Sequence, residues 1–142
     1  MKLEYKSFLE GELKIAIIMC SILTIVALVA LIFTFTYKSD RAYKIFAPIL
    51  FVIVIIISLL WILPYVKDIN NDTLIEYIGE IVVEDVFQGK GTPVRATVVI
   101  SDQKITLNLH DKNTDIHLGN QNVRILYSKH TKYLFEYEIL DE

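Results

Sequence analysis

The sequence predicts a membrane protein with two parts, a pair of transmembrane helices followed by a small, water-soluble, all-β domain. Three observations support this division. Two long uncharged apolar runs occupy most of the first half, the hydrophobic period becomes alternating after Pro64, and the acidic excess lies in the second half. The averages of 54 % apolar residues and a mean hydropathy of +0.45 therefore conceal two chemically distinct halves.

The two apolar runs predict helices that cross a bilayer. Ile15–Tyr37 contains 23 residues without a charge, and Ile45–Leu63 contains 19. A helix of the first length spans about 35 Å, which exceeds a hydrocarbon core of about 30 Å. Both runs are apolar on every face, so neither predicts an amphipathic surface helix. They are too long for strands, and in lipid a single segment satisfies its own backbone only as a helix.

The ends of the runs carry residues that favour these boundaries. Asp40 is expected to cap the second helix and Pro64 to end it. The connection over residues 38–44 is short, so the helices of the segment 15–64 should form an antiparallel hairpin. Aromatic residues that prefer the membrane interface lie at the ends of the runs. These predicted interface anchors are Tyr37, Tyr43, Trp61 and Tyr65.

Residues 1–14 mix lysines and glutamates with apolar side chains. They are expected to form an interfacial N-terminal segment, either as a short amphipathic helix or as a solvated lead-in. The run that follows is too long for the apolar region of a signal peptide, and no A-x-A cleavage site follows it. We therefore expect the first run to remain as a membrane anchor.

The positive charges near the runs bear on orientation. Two spans place both termini on one side, where Lys2, Lys6, Lys14, Lys67 and the α-amino group lie, while the loop carries three cations within seven residues. The total favours cytoplasmic termini and the density in the loop favours the reverse. We expect a two-pass protein of a bacterial plasma membrane with its β domain in the cytoplasm.

The second half, residues 65–142, shows the period-2 pattern of half-buried strands. In Lys132–Leu140 the residues Tyr133, Phe135, Tyr137 and Ile139 alternate with mostly polar neighbours, which predicts that they share one face. Five short strands in about 70 residues predict a small five-stranded β-barrel of OB or SH3-like type. The expected strands are Ile75–Phe87 with a break near Gly79, Val94–Ile100, Lys104–Leu109, Val123–Ser128 and Lys132–Leu140.

The order of glycines and β-branched residues resembles a known family. Gly79-Glu80-Ile81-Val82-Val83, a glycine turn, two strands, and Leu118-Gly119 leading into Val123-Arg124-Ile125-Leu126 are similar to the barrel of the NfeD-like membrane proteins. The resemblance covers residues 78–140. It implies an OB-type barrel tethered to membrane helices and a scaffolding role toward other membrane proteins. The family's Trp-x-Ala segment is absent, and Thr106-Leu107-Asn108-Leu109 stands there.

Charge and polarity argue against two classes of function. From Tyr65 onward the chain has eight Lys or Arg residues against thirteen Asp or Glu. An acidic domain is a poor ligand for phosphates, so we expect no nucleic-acid partner. The apolar runs contain no charged side chain, and the lone Cys20 is expected to be a small apolar helix residue. Transport pathways usually need intramembrane charges, so a pore acting alone is not expected.

Residues 110–117 are the strongest candidate for a metal site in the sequence. Asp111, Asn113 and Asp115 match the first ligand positions of a calcium loop, but Ile116 and Asn122 stand where its glycine and bidentate glutamate belong. His110 and His117 lack a third zinc ligand at an obvious spacing. Ser101 and Ser128 lie in predicted turns without a nucleophile elbow. We therefore expect no metal, no cofactor and no catalytic residues.

The remaining candidate is a protein-binding surface. Tyr127, His130 and Tyr133 are expected either in the barrel core or, since tyrosine is favoured in interfaces, on a partner-binding face. The sequence favours a non-enzymatic accessory or scaffolding protein whose β domain binds a membrane-protein partner at the bilayer. The alternatives are an immunity protein against a membrane-active or cell-envelope toxin and a small membrane-tethered hydrolase. Self-association of the chain stays open.

Overall fold

The fold is known from a computed structural model that describes residues 1–37, 40–90, 94–110 and 116–140. The chain divides into two compact units, a helical unit over Lys2–Asn70 and a sheet unit that begins at Asn71. The sequence placed this boundary at Pro64, and the structure places it at Asn70, six residues later.

Helix α1 comprises Leu3–Thr36. The predicted interfacial segment is therefore the first part of this helix rather than a separate element. After Thr36 the chain turns to an extended conformation at Tyr37, whose N–H still donates to Phe33 O at 3.0 Å. Its 34 residues include no proline, so no residue within the helix lacks the N–H that donates to the carbonyl four residues earlier.

Helix α2 comprises Arg41–Asn71 and begins directly after Asp40, whose carbonyl accepts from the N–H of Tyr43. The prediction that Pro64 ends this helix is wrong, because α2 continues for seven residues beyond it. A proline removes one N–H and strains the preceding turn. Its neighbours keep their own i→i−4 hydrogen bonds, so a long helix accommodates that local loss.

The two helices are long and apolar enough to span a membrane, and their side chains are largely uncovered. In the most apolar 18-residue window of each helix, the buried share is 11 % for α1 and 6 % for α2. The buried residues of both helices are small where they meet: Ala16 and Cys20 on α1 and Ser58 on α2. The Cys20 Sγ lies 4.0 Å from Ser58 O. Small residues at this contact let the backbones approach closely.

Five strands form the sheet unit, as the sequence predicted. The order β1-β2-β3-β5-β4 closes on itself, because β4 pairs with β1. Neighbouring strands are antiparallel except β3 and β5, which pair in parallel at Asn108–Tyr133 and Leu109–Leu134. The strands are β1 Leu74–Phe87, β2 Arg95–Ile100, β3 Gln103–Leu109, β4 Gly119–Ser128 and β5 Tyr133–Ile139.

Strand β1 is continuous through Gly79, so the predicted break there is wrong. Gly79 has φ +154°, and a Cβ at this position would lie 2.9 Å from the Tyr77 hydroxyl oxygen. The tyrosine ring covers the glycine, and its hydroxyl donates to Glu80 O at 3.0 Å. The interruption of β1 is instead a bulge between Val83 and Asp85. Gly79 thus marks close packing of a side chain rather than the end of a strand.

The closed sheet has its own hydrophobic core, built from the inward residue of each alternating pair. The expected strand Lys104–Leu109 is confirmed as β3, in which Leu107 and Leu109 are buried while Thr106 is exposed. The buried members of the core are Ile81, Val83, Val94, Ala96, Val98, Ile100, Leu107, Leu109, Val123, Ile125, Tyr127 and Leu134.

Tyr133 and Phe135 are buried, but a bulge breaks the single face that the sequence of β5 predicts. Leu126 pairs with Glu136, but Tyr127 pairs with Leu134, so Phe135 is an extra residue on β5. A bulge of this kind shifts the alternation by one position. Leu134 therefore faces the core together with Tyr137, while Ile139 is 48 % exposed.

The core should be sensitive to loss of volume at Leu107. Leu107→Ala is expected to destabilise the sheet unit by about 2–5 kcal/mol, because it removes three buried carbon atoms and leaves a cavity. The neighbouring Thr106→Ala, on the exposed side of the same strand, should change stability by less than about 0.5 kcal/mol. Amide hydrogen exchange of β-strand peptides in the detergent-solubilised chain measures both effects. Equal protection in the two variants would contradict this assignment of the inner face.

Candidate functional site

The three predicted partner-binding residues lie around the hairpin between β4 and β5. Tyr127 is 5 % exposed and belongs to the core, and Tyr133 is 6 % exposed. His130 is half-buried. Tyr127 follows Ile125 and Val123 on the inward side of β4, and this parity outweighs the preference of tyrosine for interfaces. Two of the three residues thus form part of the packed interior, and they do not make an open binding face.

The hairpin is held by a buried serine. Ser128 is fully buried, and its Oγ accepts from the N–H of Tyr133 at 2.8 Å. The same hydroxyl shares a hydrogen bond of 2.5 Å with the Thr131 hydroxyl. The Ser128 carbonyl accepts from the N–H of Lys132, which has φ +58°. This side chain thus supplies the hydrogen bonding that a tight turn leaves incomplete.

A lysine lies above the buried phenol of Tyr127. The Lys132 Nζ is 5.6 Å from the centroid of the Tyr127 ring, within the range of a cation–π contact. Burial raises the pKa of Tyr127, because its anionic form would lose hydration in the core. Burial of the ring therefore favours the neutral form of Tyr127.

The residues predicted as membrane-interface anchors occupy the helical unit. Tyr37 follows the last residue of α1, and its ring stacks on Phe33 with centroids 4.1 Å apart. Tyr43, near the start of α2, is 64 % exposed, and Trp61 is 44 % exposed. Tyr65 is half-buried within α2. Three of the four thus offer exposed aromatic surface near the ends of the apolar runs.

The predicted metal-like loop falls mostly outside the described residues, which exclude Asp111, Asn113 and Asp115. His110 packs against Phe135 with ring centroids 5.5 Å apart, and the His117 carbonyl accepts from the Gln121 amide. Within the residues that the structure describes, no group of three or more His, Cys, Asp or Glu side chains could hold a metal ion.

The outer face of β1, β4 and β5 brings together charged residues that lie far apart in the sequence. The strand register places Glu76, Leu126 and Glu136 in one row and Ile78, Arg124 and Glu138 in the next. Glu80 follows beside Asn122. The alternate residues of β1 and β4, including Ile81 and Ile125, point into the core. We call this surface the glutamate face, and it consists of Glu76, Ile78, Glu80, Asn122, Arg124, Leu126, Glu136 and Glu138.

Arg124 connects the three strands of the glutamate face. Its Nε donates to Glu76 Oε1 at 2.5 Å, and one terminal nitrogen lies 3.8 Å from Glu136 and 3.7 Å from Glu138. The hydrogen bond and charge of Glu76, with smaller contributions from Glu136 and Glu138, raise the pKa of Arg124. All four side chains are solvent-accessible, so the ion pairs contribute little to stability.

The sequence pattern alone does not identify the glutamate face. Its signal is the outward phase of the same alternation that predicted the strands, with Glu76, Ile78 and Glu80 on β1 and Glu136 and Glu138 on β5. The pattern shows that these residues point away from the core. It does not contain the register that places the two glutamates of β5 beside Arg124, because that depends on the pairing of distant strands.

Comparison with known proteins found no similar chain: no family model matches the sequence, and neither the curated proteins nor the solved structures contain a match.

The buried Ser128 hydroxyl should be essential for the β4–β5 hairpin. Ser128→Ala leaves the buried N–H of Tyr133 without its acceptor, which is expected to cost about 1–3 kcal/mol. Ser101→Ala, in an exposed turn between β2 and β3, is the matched control and should be close to neutral. Thermal unfolding followed by circular dichroism compares the two, and equal midpoints would contradict the role assigned to Ser128.

Tyr127 should make the sheet unit sensitive to alkali. Since the pKa of Tyr127 is raised on folding, its contribution to stability is complete below the unfolded value of about 10 and declines as pH rises through the folded value. Tyr127→Phe is expected to reduce the loss of stability above about pH 10. Chemical unfolding at a series of pH values measures this, with Tyr43→Phe as an exposed control. The same alkaline slope in wild type and Tyr127→Phe would refute the prediction.

Proposed function

We propose that this chain is a non-enzymatic accessory protein in which α1 and α2 cross a membrane and the closed sheet binds a membrane-protein partner. The observation that carries the proposal is the exposure of the helices' apolar side chains. The sheet unit, in contrast, has a hydrophobic core of its own. One half of the chain thus suits hydrocarbon and the other suits water.

The energetic argument starts from the helices. Keeping one Leu, Ile, Val or Phe side chain in water rather than in an apolar environment costs about 1.5–3 kcal/mol. Exposed side chains of this kind run along both helices, from Ile15 to Phe35 and from Ile45 to Leu63. Their summed cost exceeds the net stability of a typical domain, which is about 5–15 kcal/mol. A bilayer removes the cost, and the helical backbone satisfies its own hydrogen bonds there.

We place the helices in a bacterial plasma membrane with both termini in the cytoplasm. The N-terminal part of α1 and the last turns of α2 carry Lys2, Lys6, Lys14 and Lys67, and cations near a span are retained on the cytoplasmic side. The closed sheet follows α2 directly, so it lies on that same side of the membrane.

The sheet unit is proposed to be an OB-type barrel. In support, β1 is long enough to pair with both β4 and β2, and the ring closes through a parallel contact of β3 with β5. Closure leaves short strands without long unpaired edges, which protects a tethered domain from indiscriminate strand pairing. OB-type barrels bind ligands on strand faces and loops rather than in a deep interior cavity. This geometry supports a binding role.

The helical unit offers apolar contact surface rather than a polar active site. A groove of about 460 Å³ lies between α1 and α2. The Ser21, Thr24 and Ser58 hydroxyls that line it donate to carbonyls of their own helices. A surface of this kind suits lipid chains or another transmembrane helix. The specificity of the protein is therefore assigned to the sheet.

The proposal is tested first by extraction. The chain should stay with the membrane fraction after an alkaline carbonate wash and need detergent to become soluble, because only hydrocarbon or detergent covers α1 and α2. A variant with Lys129→Cys and Cys20→Ala then reports the side of the sheet. An impermeant maleimide should label it only after cells are opened. A chain that remains monodisperse in buffer without detergent would overturn the proposal.

Partner capture separates the accessory role from the alternatives. Photo-cross-linking residues on the closed sheet should yield defined adducts with membrane proteins in unperturbed cells. An immunity protein would instead show its adducts only when a toxin is present, and its deletion would sensitise cells to that toxin. A membrane-tethered hydrolase would lose a measurable activity on substitution of His110, His117 and His130.

A further inference from the structure

The glutamate face has a charge balance that its own residues do not neutralise. It carries the carboxylates of Glu76, Glu80, Glu136 and Glu138 against the single guanidinium of Arg124. The guanidinium of Arg124 is shared among Glu76, Glu136 and Glu138, and Glu80 lies one row further along β1. The face therefore has an excess of about three negative charges at neutral pH. A cationic partner would find carboxylates on β1 and β5, on either side of β4.

An exposed apolar side chain lies within these charges. Ile78 is 62 % exposed and is paired directly with Arg124, and Leu126 is half-buried in the adjacent row. The closed sheet does not need Ile78 for its core, because Tyr77 and Gly79 provide the inward positions on either side of it. An apolar centre with a polar rim is the usual anatomy of a protein-binding surface.

The area of the glutamate face indicates how large a partner segment it can bind. Three strands about 4.8 Å apart and five residues at about 3.3 Å each give a surface of roughly 240 Å². Stable interfaces between globular proteins bury about 800 Å² on each partner. A single short segment with one apolar and several cationic side chains matches this area better than a whole domain does.

The connection between the units restricts where that segment can lie. Only Asp72 and Thr73 separate the end of α2 from the start of β1, a link of about 10 Å when extended. If α2 crosses the membrane, as proposed above, the sheet stays near the headgroups. The cytoplasmic flanks of transmembrane helices are rich in Lys and Arg, whereas the lipid surface there is anionic and would repel the glutamates.

From these observations we infer that the glutamate face binds a Lys- or Arg-rich segment next to a transmembrane helix of a partner membrane protein. The inference rests on the proposed function, because it needs the sheet to be held at a membrane surface. Lysine or arginine side chains pair with the glutamates, and an apolar residue of the segment packs on Ile78.

A binding experiment tests the chemistry with a defined probe. The probe is a fluorescent, end-capped peptide with six Lys or Arg residues around one Leu, and an acidic peptide of the same length is its counterpart. The full chain in zwitterionic nanodiscs should bind the basic peptide and not the acidic one, as measured by fluorescence anisotropy. Glu80→Lys is expected to weaken binding by about three- to ten-fold, because it replaces an attraction by a repulsion.

Asp85→Lys is the matched control, since Asp85 is also an exposed acid on β1 but lies beyond the bulge, opposite Thr97. It makes the same change in net charge outside the glutamate face, so binding should remain near the wild-type value. Ile78→Ser and Phe87→Ser form a second pair, in which only the first should weaken binding. Equal losses in Glu80→Lys and Asp85→Lys would overturn the inference, because they would show attraction to overall charge alone.

Cross-linking in native membranes separates this inference from the proposed function. A photoreactive residue at position 78 should form adducts whose peptides map to a Lys- or Arg-rich flank of a transmembrane helix. The same residue at position 106, on the exposed side of β3, is the comparison. Partner adducts from position 106 alone would leave the accessory role intact and refute the role of the glutamate face. Failure of both positions to reach any protein would refute both proposals.

Discussion

The exposed apolar surface of α1 and α2 is the constraint on which the architecture depends. A helix satisfies its backbone internally, so its stability in a given solvent is decided by its side chains. Those of the apolar runs 15–37 and 45–63 are apolar on all sides, and within these runs the buried stripe is narrow and includes Ala16, Cys20 and Ser58. At about 25 cal/mol per Å² of apolar surface, water is a poor solvent for such a pair and hydrocarbon a good one. The proposed membrane location follows from this imbalance.

The sheet unit is stabilised by its own core rather than by a surrounding membrane. It has no cysteine, since the single cysteine of the chain is Cys20 in α1, so packing and hydrogen bonding hold it together. Closure of the ring pairs β1 with both β2 and β4 and buries one residue of each alternating pair. On β1 the alternate residues Glu76, Ile78 and Glu80 are exposed and do not form part of this core. Evolution of a binding surface on the outside of such a sheet is therefore possible without rebuilding the core.

Run length and period predicted the coarse fold because each depends on neighbouring residues only. The two apolar runs and the five strands were recognisable in this way. Tertiary contacts decided the details that were predicted wrongly: Gly79 is covered by Tyr77, Phe135 is the extra residue of a bulge, and α2 continues through Pro64. The glutamate face depends on register between strands about 50 residues apart, as in the pairing of Glu76 with Leu126. No local pattern encodes that register.

A small binding surface is adequate for a protein that shares a membrane with its partner. Contacts over a few hundred Å² around Ile78 and four glutamates would give only weak affinity between proteins free in solution, since area and exposed ion pairs each contribute little. Confinement changes the requirement, because tethered partners meet at effective concentrations that reach the millimolar range. A dissociation constant of about 1 mM corresponds to only about 4 kcal/mol. The helices would then supply the concentration and the glutamate face the selectivity, so each unit contributes what the other lacks.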